Sequence, residues 1–253
     1  MAKRRPAKKA ARRSARKPAA ARKTRARKDR AGKPAAEAGA AEENPPLESL
    51  FPSFDPKPSL RFAARALKET GARGALAGRV AVWFWLDDES EHEFTKDVDL
   101  AVIRDDMPKV RAWLAASAGR TTELSIGGVN SRHPETGVNV DFIDRTQRGD
   151  FSALFAAAVR AARRKGAKAV PVPGRGRVPV VPAEHLVAMK ILTGEYRDRR
   201  DVERLILRIP DLDLVKTRRL VKQHLGPVGR NLLEVILREV GHPQAERASR
   251  YRT

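Results

Sequence analysis

Two kinds of hydrophobic pattern follow each other along the chain, and the change between them falls near Pro182. Between residues 57 and 181, a helical pattern around Leu60 is followed by short apolar segments with the character of strands. Beyond Pro182, apolar residues return every three or four positions, which is typical of amphipathic helices. We therefore predict an α/β domain over residues 57–181 and a helical domain over residues 182–245.

The strand-like segments predict a mixed, twisted sheet with flanking helices. Residues 80–86 are apolar throughout and contain β-branched and aromatic side chains, as expected for a strand covered on both faces. A second strand is predicted over residues 97–103, and shorter strands are predicted near residues 121–126 and 137–143. Helices are predicted near residues 60–71, 107–118, 150–163, 183–195, 198–208, 212–225 and 228–241.

The first 34 residues differ in composition from the rest of the chain. They contain 16 Lys or Arg and one acidic residue, and so carry +15 of the net charge of +21. No bulky apolar side chain follows Met1, so burial cannot offset the entropy of folding, and residues 1–34 are predicted to be a disordered tail. Such a tail favours binding to nucleic-acid phosphates, although a solubilising extension has the same composition. The Glu- and Pro-rich residues 35–56 are predicted to be a linker.

Composition also excludes several classes of protein. The chain has no cysteine, so it forms no disulfides and no thiolate metal sites. No apolar run approaches the roughly 18 residues that a membrane helix needs. The basic start is not followed by the apolar core of a secretory signal. We therefore expect a cytoplasmic protein without a membrane partner, for which association with the nucleoid through the tail stays open.

Three aspartates provide the candidate chemistry. Side chains alternate along a strand, so Asp97 and Asp99 are predicted to share one face of their strand, with apolar residues on the other. Asp141 holds an equivalent position in a nearby strand. Carboxylates on a rigid frame repel each other unless a cation lies between them, and oxygen ligands suit Mg²⁺. The three acids predict a site for two Mg²⁺ ions that activates a hydroxyl for attack on phosphorus.

The order of these motifs resembles a known superfamily. Gly78 in a small-residue turn, the Asp97-Val98-Asp99 strand and Asp141 match the signature of the DNA polymerase β-like nucleotidyltransferases. Within that superfamily the chain is similar to the abortive-infection toxin branch and to other small bacterial nucleotidyltransferases. The resemblance covers about residues 58–210 and implies a nucleotidyltransferase-like fold for the α/β domain.

Two further elements of the chain are similar to helices of that branch. One is the helix with Lys190, and the resemblance implies that this lysine approaches the nucleotide phosphates. The other is the Arg- and Asp-rich helix that begins near Arg197, in which Asp201 is predicted to form a structural ion pair with Arg197. Both elements lie close to the predicted boundary between the two domains.

The resemblance implies an Mg²⁺-dependent enzyme that transfers a nucleoside monophosphate from an NTP to an acceptor hydroxyl and releases pyrophosphate. Asp97, Asp99 and Asp141 would hold the two metal ions, and Gly78 would form the phosphate turn. The acceptor hydroxyl would belong to RNA, tRNA or a protein, and a small molecule stays open. Two alternatives stay open: a catalytically degenerate fold that binds nucleotides or nucleic acid as the partner of another protein, and an architectural nucleic-acid protein that acts through its tail.

The chain departs from the pattern of the superfamily at two positions. Arg79 follows Gly78 where the family usually has Gly or Ser, and Glu93 stands where it often has Arg. A side chain at position 79 either crowds the backbone amides expected to hold the triphosphate or binds a phosphate through its guanidinium. Arg79 is therefore a candidate nucleotide-binding residue together with Gly78 and Lys190.

Overall fold

The computed structural model describes residues 55–86, 88, 92–117 and 119–245. The predicted tail, residues 1–34, and nearly all of the predicted linker, residues 35–56, lie outside the described residues. Within the described part, no helix is long and apolar enough to cross a bilayer.

The described chain forms a mixed α/β structure that ends in helices. Its seven helices are α1 (Lys57–Thr70), α2 (Gly78–Trp83), α3 (Met107–Ala115), α4 (Ser152–Ala162), α5 (Ala183–Thr193), α6 (Tyr196–Arg208) and α7 (Leu214–Glu239). Its seven strands are β1 (Gly74–Ala77), β2 (Val98–Val102), β3 (Arg120–Glu123), β4 (Gly128–His133), β5 (Val138–Ile143), β6 (Ala169–Val172) and β7 (Gly176–Pro179). Short 3₁₀ turns occupy Arg104–Asp106 and Pro134–Thr136.

The main sheet has five strands in the order β1-β2-β5-β4-β3. Strands β2 and β5 are parallel, and the other neighbours are antiparallel, so the predicted mixed sheet is confirmed. Strands β6 and β7 form a separate hairpin. Valines and leucines of the central strands are fully buried, among them Val98, Leu100 and Val140.

The prediction of a strand over residues 80–86 is wrong. Residues Gly78–Trp83 form helix α2, and the first strand lies immediately before it at Gly74–Ala77. Val80, Ala81 and Val82 are all buried, so an apolar run that marks burial on every side is satisfied by a short buried helix as well as by a strand.

Strand β4 was not predicted. It begins at Gly128 and pairs with both β3 and β5. Gly127 and Gly128 have φ angles of 96° and 117°, a conformation that glycine adopts without strain.

Helix α7 contains the two helices that were predicted near residues 212–225 and 228–241. Gly226 has φ 68° and ψ −161°, which are not helical, and Pro227 follows it. The glycine therefore separates two helical segments at a kink, and proline at the next position fits the first turn of the second segment.

Candidate active site

Strand register brings the predicted aspartates together. Asp99 of β2 and Asp141 of β5 are direct partners in the parallel pairing, so their side chains lie on the same face of the sheet. Asp97 lies in the bend just before β2, where its carboxylate accepts a hydrogen bond of 3.0 Å from the Thr95 hydroxyl. The negative charges of both Asp97 and Asp141 act on Asp99. The three acids therefore form one carboxylate cluster.

The ionised form of Asp99 is unfavourable in this cluster, because the side chain is buried and lies near two other carboxylates. Burial, and then the charges of Asp97 and Asp141, raise the pKa of Asp99 to about 7. Burial also raises the pKa of Asp141, although a hydrogen bond from Asn130 opposes the change and Asp97 adds to it. Such raised pKa values are typical of acids that bind a cation or transfer a proton.

Gly78 lies at the junction of β1 and α2, directly against Asp99. Its φ angle is 59°, and a Cβ atom at this position would lie 1.7 Å from Asp99 Oδ2. Both the backbone conformation and the close approach therefore require glycine. The structure places the predicted turn beside the carboxylate cluster.

Lys190 and Arg79 meet at a buried carboxylate, Asp201. Lys190 Nζ lies 2.8 Å from Asp201 Oδ2 and also pairs with Asp198. Arg79 Nε lies 3.4 Å from the same Asp201 oxygen. Burial alone would lower the pKa of Lys190, but the charges of Asp201 and Asp198 outweigh it and raise the pKa. Lys190 is therefore held in its charged form.

The predicted partner of Asp201 was not the observed one. Asp201 pairs with Lys190, Arg79 and Arg204 in one buried network. Arg197 instead lines a cavity next to Lys190. The helical spacing explains the difference, because Asp201 lies on the buried face of α6, where side chains from α2 and α5 reach it.

The two departures from the superfamily pattern contact each other. Arg79 Nη1 lies 3.6 Å from Glu93 Oε2 and donates a hydrogen bond of 3.0 Å to the Phe94 carbonyl oxygen. Glu93 also pairs with Arg204 at 2.8 Å. Arg79 thus ties α2 to the segment that leads into β2.

Two cavities open on either side of Phe94, Lys96 and Asp97. The Lys190 cavity, of about 470 Å³, is lined by Asp99, Arg79 and Lys190, among others. The Asp141 cavity, of about 870 Å³, reaches Asn130, Arg132 and Asn139. Asp99, Arg79 and Lys190 therefore line the cavity on one side, Asp141 lines the cavity on the other, and Asp97 lines both. Gly78 lies against Asp99.

Sequence reasoning missed Asn130, which supports the cluster from strand β4. Its amide donates a hydrogen bond of 2.6 Å to Asp141 Oδ1 and one of 2.8 Å to Asn139 Oδ1. Asn139 in turn donates to the Lys96 carbonyl oxygen. The role of Asn130 depends on the pairing of β4 with β5, and because the sequence did not predict β4, it gave no signal for this residue.

The donor set fits Mg²⁺ bound together with a nucleotide. No three His, Asp or Glu side chains of the described residues form a ready-made metal cluster. Mg²⁺ commonly takes one or two protein carboxylates and completes its shell with water and substrate phosphates. Asp97 and Asp99 offer such oxygens. Burial and the charges of Asp97 and Asp141 raise the pKa of Asp99, and a bound cation would lower it again.

We expect the metal-free protein to lose stability relative to the Asp99→Asn variant as the pH rises from about 4 to about 7. The pKa of Asp99 is 3.8 when unperturbed and about 7 in the folded chain, so in this interval only the folded state holds the proton. His185 acts in the opposite direction, because burial lowers its pKa from 6.5 to about 4. Between these two pH values only the unfolded chain protonates His185, so the stability that this residue contributes rises with pH.

Thermal melts in a chelator, at about pH 5 and about pH 8, separate the two effects. Both proteins contain His185, so the difference in Tm between Asp99→Asn and wild type isolates Asp99. This difference should grow with pH. A constant difference would contradict the environment assigned to Asp99.

No protein-family model and no curated protein sequence matches the chain. Solved structures do. The antibiotic-resistance factor ANT(2″)-Ia in solution is 16% identical, with a TM-score of 0.39, over 72% of this chain and 91% of that one. The same factor in complex with adenylyl-2″-tobramycin is 17% identical, with a TM-score of 0.36, over 71% and 93%. An antigenic nucleotidyltransferase-like protein from Paracoccidioides brasiliensis is 16% identical, with a TM-score of 0.43, over 74% and 95%.

Proposed function

We propose that the protein is an Mg²⁺-dependent nucleotidyltransferase of the DNA polymerase β-like superfamily. The observation that carries this proposal is the register of β2 and β5, which aligns Asp99 with Asp141 next to Asp97. A carboxylate cluster of this kind between two cavities can hold a metal-bound triphosphate on one side and an acceptor on the other. The abortive-infection branch remains our proposal from the sequence motifs alone.

The Lys190 cavity is the proposed nucleotide site. Asp97 and Asp99 would hold both ions, and Asp141 would complete one of the two sites. When bound, Mg²⁺ neutralises charge on the triphosphate and on the departing pyrophosphate. Gly78 leaves room for phosphate oxygens at the backbone of the β1–α2 turn.

Lys190 and Arg79 are the proposed phosphate-binding side chains of this cavity. Both line it, and both are fixed by Asp201 rather than free to move. The ion pair of Arg79 with Asp201 holds its guanidinium at the cavity wall, which favours the phosphate-binding role over a simple obstruction.

In the proposed reaction, the acceptor hydroxyl oxygen attacks the α-phosphorus of the NTP. A new P–O bond forms while the bond to the bridging α–β oxygen breaks, and pyrophosphate leaves with that electron pair. Asp141 is suited to accept the hydroxyl proton, because its pKa is raised and it faces the Asp141 cavity. The hydrogen bond from Asn130 orients the carboxylate for this role.

The test is a transfer assay with the full-length protein. Each of the four NTPs, labelled at the α-phosphate, is incubated with total RNA or lysate protein, with and without Mg²⁺. We expect label in an acceptor with one or more NTPs only when Mg²⁺ is present, and no label from the same NTPs carrying it at the γ-phosphate. Binding of Mg-NTP by calorimetry without any transfer would instead identify a degenerate, nucleotide-binding protein.

A further inference from the structure

Two arginines lie on the same sheet face as the carboxylate cluster. Arg120 of β3 and Arg132 of β4 are direct cross-strand partners, and Arg132 is in turn the partner of Asn139 on β5. Asn139 is two residues from Asp141, so both side chains point to one face. We call Arg120 and Arg132 the arginine pair.

The arginine pair is not neutralised by any residue that the structure describes. Both residues are exposed, and neither forms an ion pair with any other described residue. The nearest acid on their strands, Glu123, pairs with Arg111 instead. Like charges directly opposite each other destabilise a sheet. A bound anion would relieve this repulsion.

The position of the pair relative to the cluster is fixed by the sheet. Neighbouring strands lie about 4.8 Å apart, and residues two apart on a strand are separated by about 7 Å. Arg132 is one strand and two residues away from Asp141, and Arg120 is one strand further. The arginines therefore lie about 8–12 Å from Asp141 across the face, a distance that suits a phosphate of the acceptor and not the reacting one.

Three neighbouring cavities share lining residues and together form a path across this face. The Arg120 cavity, of about 670 Å³, is lined by the arginine pair and shares Asn130 and Pro134 with the Asp141 cavity. The Asp141 cavity shares Phe94 and Lys96 with the Lys190 cavity. Three adjoining cavities offer more room than a small acceptor needs, and their arrangement in a row fits a chain.

Phe94 marks the middle of the path. Its ring is 58% exposed, although it lies between two cavities beside Asp97. An exposed aromatic ring next to basic side chains is a platform on which an unstacked base can lie. A duplex would not offer such a base.

We propose that this surface binds the 3′-terminal segment of a single-stranded nucleic acid, which is the acceptor of the transfer reaction. The arginine pair holds phosphates upstream of the terminal nucleotide, and Phe94 stacks on a base. That the bound segment is the acceptor rests on the proposed function, whereas the binding surface is defined by the arginine pair and Phe94 alone. Outside the carboxylate cluster, the acids among the described lining residues are Asp55 in the Asp141 cavity and Glu195 and Asp198 in the Lys190 cavity, whereas the Arg120 cavity has none. Asp198 pairs with Lys190.

The test compares two double variants of the full-length protein. Arg120→Ser with Arg132→Ser removes the arginine pair, and Arg175→Ser with Arg177→Ser removes two exposed arginines of the β6–β7 hairpin. Both changes lower the net charge equally and leave the basic tail intact. A 5′-fluorescein single-stranded RNA of about ten nucleotides is titrated at several salt concentrations, and its anisotropy is measured.

Loss of the arginine pair removes two phosphate contacts, so the negative slope of log K for RNA binding against log salt concentration should become shallower by about 1.4. The control variant, Arg175→Ser with Arg177→Ser, should leave the slope unchanged. Phe94→Ala should weaken binding of the RNA about tenfold and binding of inorganic polyphosphate hardly at all. Equal effects of the two arginine variants, or equal effects of Phe94→Ala on both probes, would overturn the proposal. Thermal melts confirm that the variants fold.

The transfer assay separates the two proposals. If RNA is extended, loss of the arginine pair should raise KM for RNA and leave KM for Mg-NTP unchanged. If no nucleotide is transferred at all but the salt slope changes as expected, the binding surface stands and the proposed function fails. If transfer to RNA persists with an unchanged KM, the surface proposal fails and the function stands.

Discussion

Asp97→Asn and Asp99→Asn should each lower nucleotidyl transfer about a thousandfold. Metal ions supply several kcal/mol of charge stabilisation in phosphoryl transfer, and about 4 kcal/mol corresponds to a factor of a thousand. An amide keeps the shape of the side chain but loses the negative charge that draws the cation to the cluster. The loss should appear in kcat, and it should not be restored by more NTP.

The same variants should stabilise the metal-free protein. Moving the pKa of Asp99 from 3.8 to about 7 corresponds to a cost of ionisation on the order of 4 kcal/mol at a pH well above 7, which is an upper bound on what Asn recovers. A neutral side chain also removes repulsion with Asp97 and Asp141. We therefore expect lower activity together with a higher Tm in a chelator at about pH 8.

Asp105→Asn is the matched control. Asp105 is exposed and lies beyond the other end of β2, away from the carboxylate cluster. Its substitution removes one negative charge and should change neither transfer nor Tm appreciably. Full activity in both Asp97→Asn and Asp99→Asn would remove these residues from the mechanism, whatever the Tm values.

Alternation along single strands was enough to predict the acids, but not their arrangement. Asp99 and the buried Leu100 can be assigned to opposite faces of β2 from a period of two. That Asp99 lies opposite Asp141 depends on parallel pairing between strands about 40 residues apart, and register between distant strands has no local signature. The predicted proximity of the acids came from the expectation that a metal site needs a third carboxylate, not from the pattern of any strand.

Burial and secondary structure are not the same property, and α2 shows the difference. Val80 and Val82 are buried on every side, which the sequence predicted, but within a helix of six residues. A run this short has no room for helical periodicity to become visible. Gly78, which the sequence placed in a turn, begins that helix and is correctly located against Asp99.

Arg79 and Glu93 are two separate departures in the sequence and one contact in the structure. Glu93 is held by Arg79, Arg200 and Arg204, so a negative charge at position 93 accompanies a positive charge at position 79. The contact gives each residue a partner of opposite charge, so the two departures from the pattern of the similar superfamily compensate each other in charge. Only three-dimensional proximity could show this.

Asp201→Asn should destabilise the fold more than either Lys190→Met or Glu203→Gln. The Asp201 side chain is 2% exposed and lies within 4.0 Å of Lys190, Arg79 and Arg204. Removing its charge leaves these cations without their shared partner in a buried place. Breaking a buried ion pair from one side typically costs about 3–5 kcal/mol, and here Asp198 and Glu93 retain part of the compensation.

Lys190→Met tests the same network from the other side. It leaves Asp201 paired with Arg79, and the methionine fills much of the space of the lysine, so its cost in unfolding free energy should be smaller than that of Asp201→Asn. Its KM for Mg-NTP should nevertheless rise, because the proposed phosphate contact is lost. Asp201→Asn should therefore lower the unfolding free energy more, whereas Lys190→Met should weaken nucleotide binding more directly.

Denaturant unfolding of both variants decides the matter, with Glu203→Gln as the control. Glu203 pairs with Arg199 one turn away on the more exposed side of α6, and such a pair contributes at most about 1 kcal/mol. We expect the unfolding free energy of Asp201→Asn to be well below that of Glu203→Gln, and that of Lys190→Met to lie between the two. An unfolding free energy of Asp201→Asn within about 1 kcal/mol of wild type would show that Asp201 does not hold the cations in place. The fixed positions of Lys190 and Arg79, on which the proposed nucleotide site depends, would then need another cause.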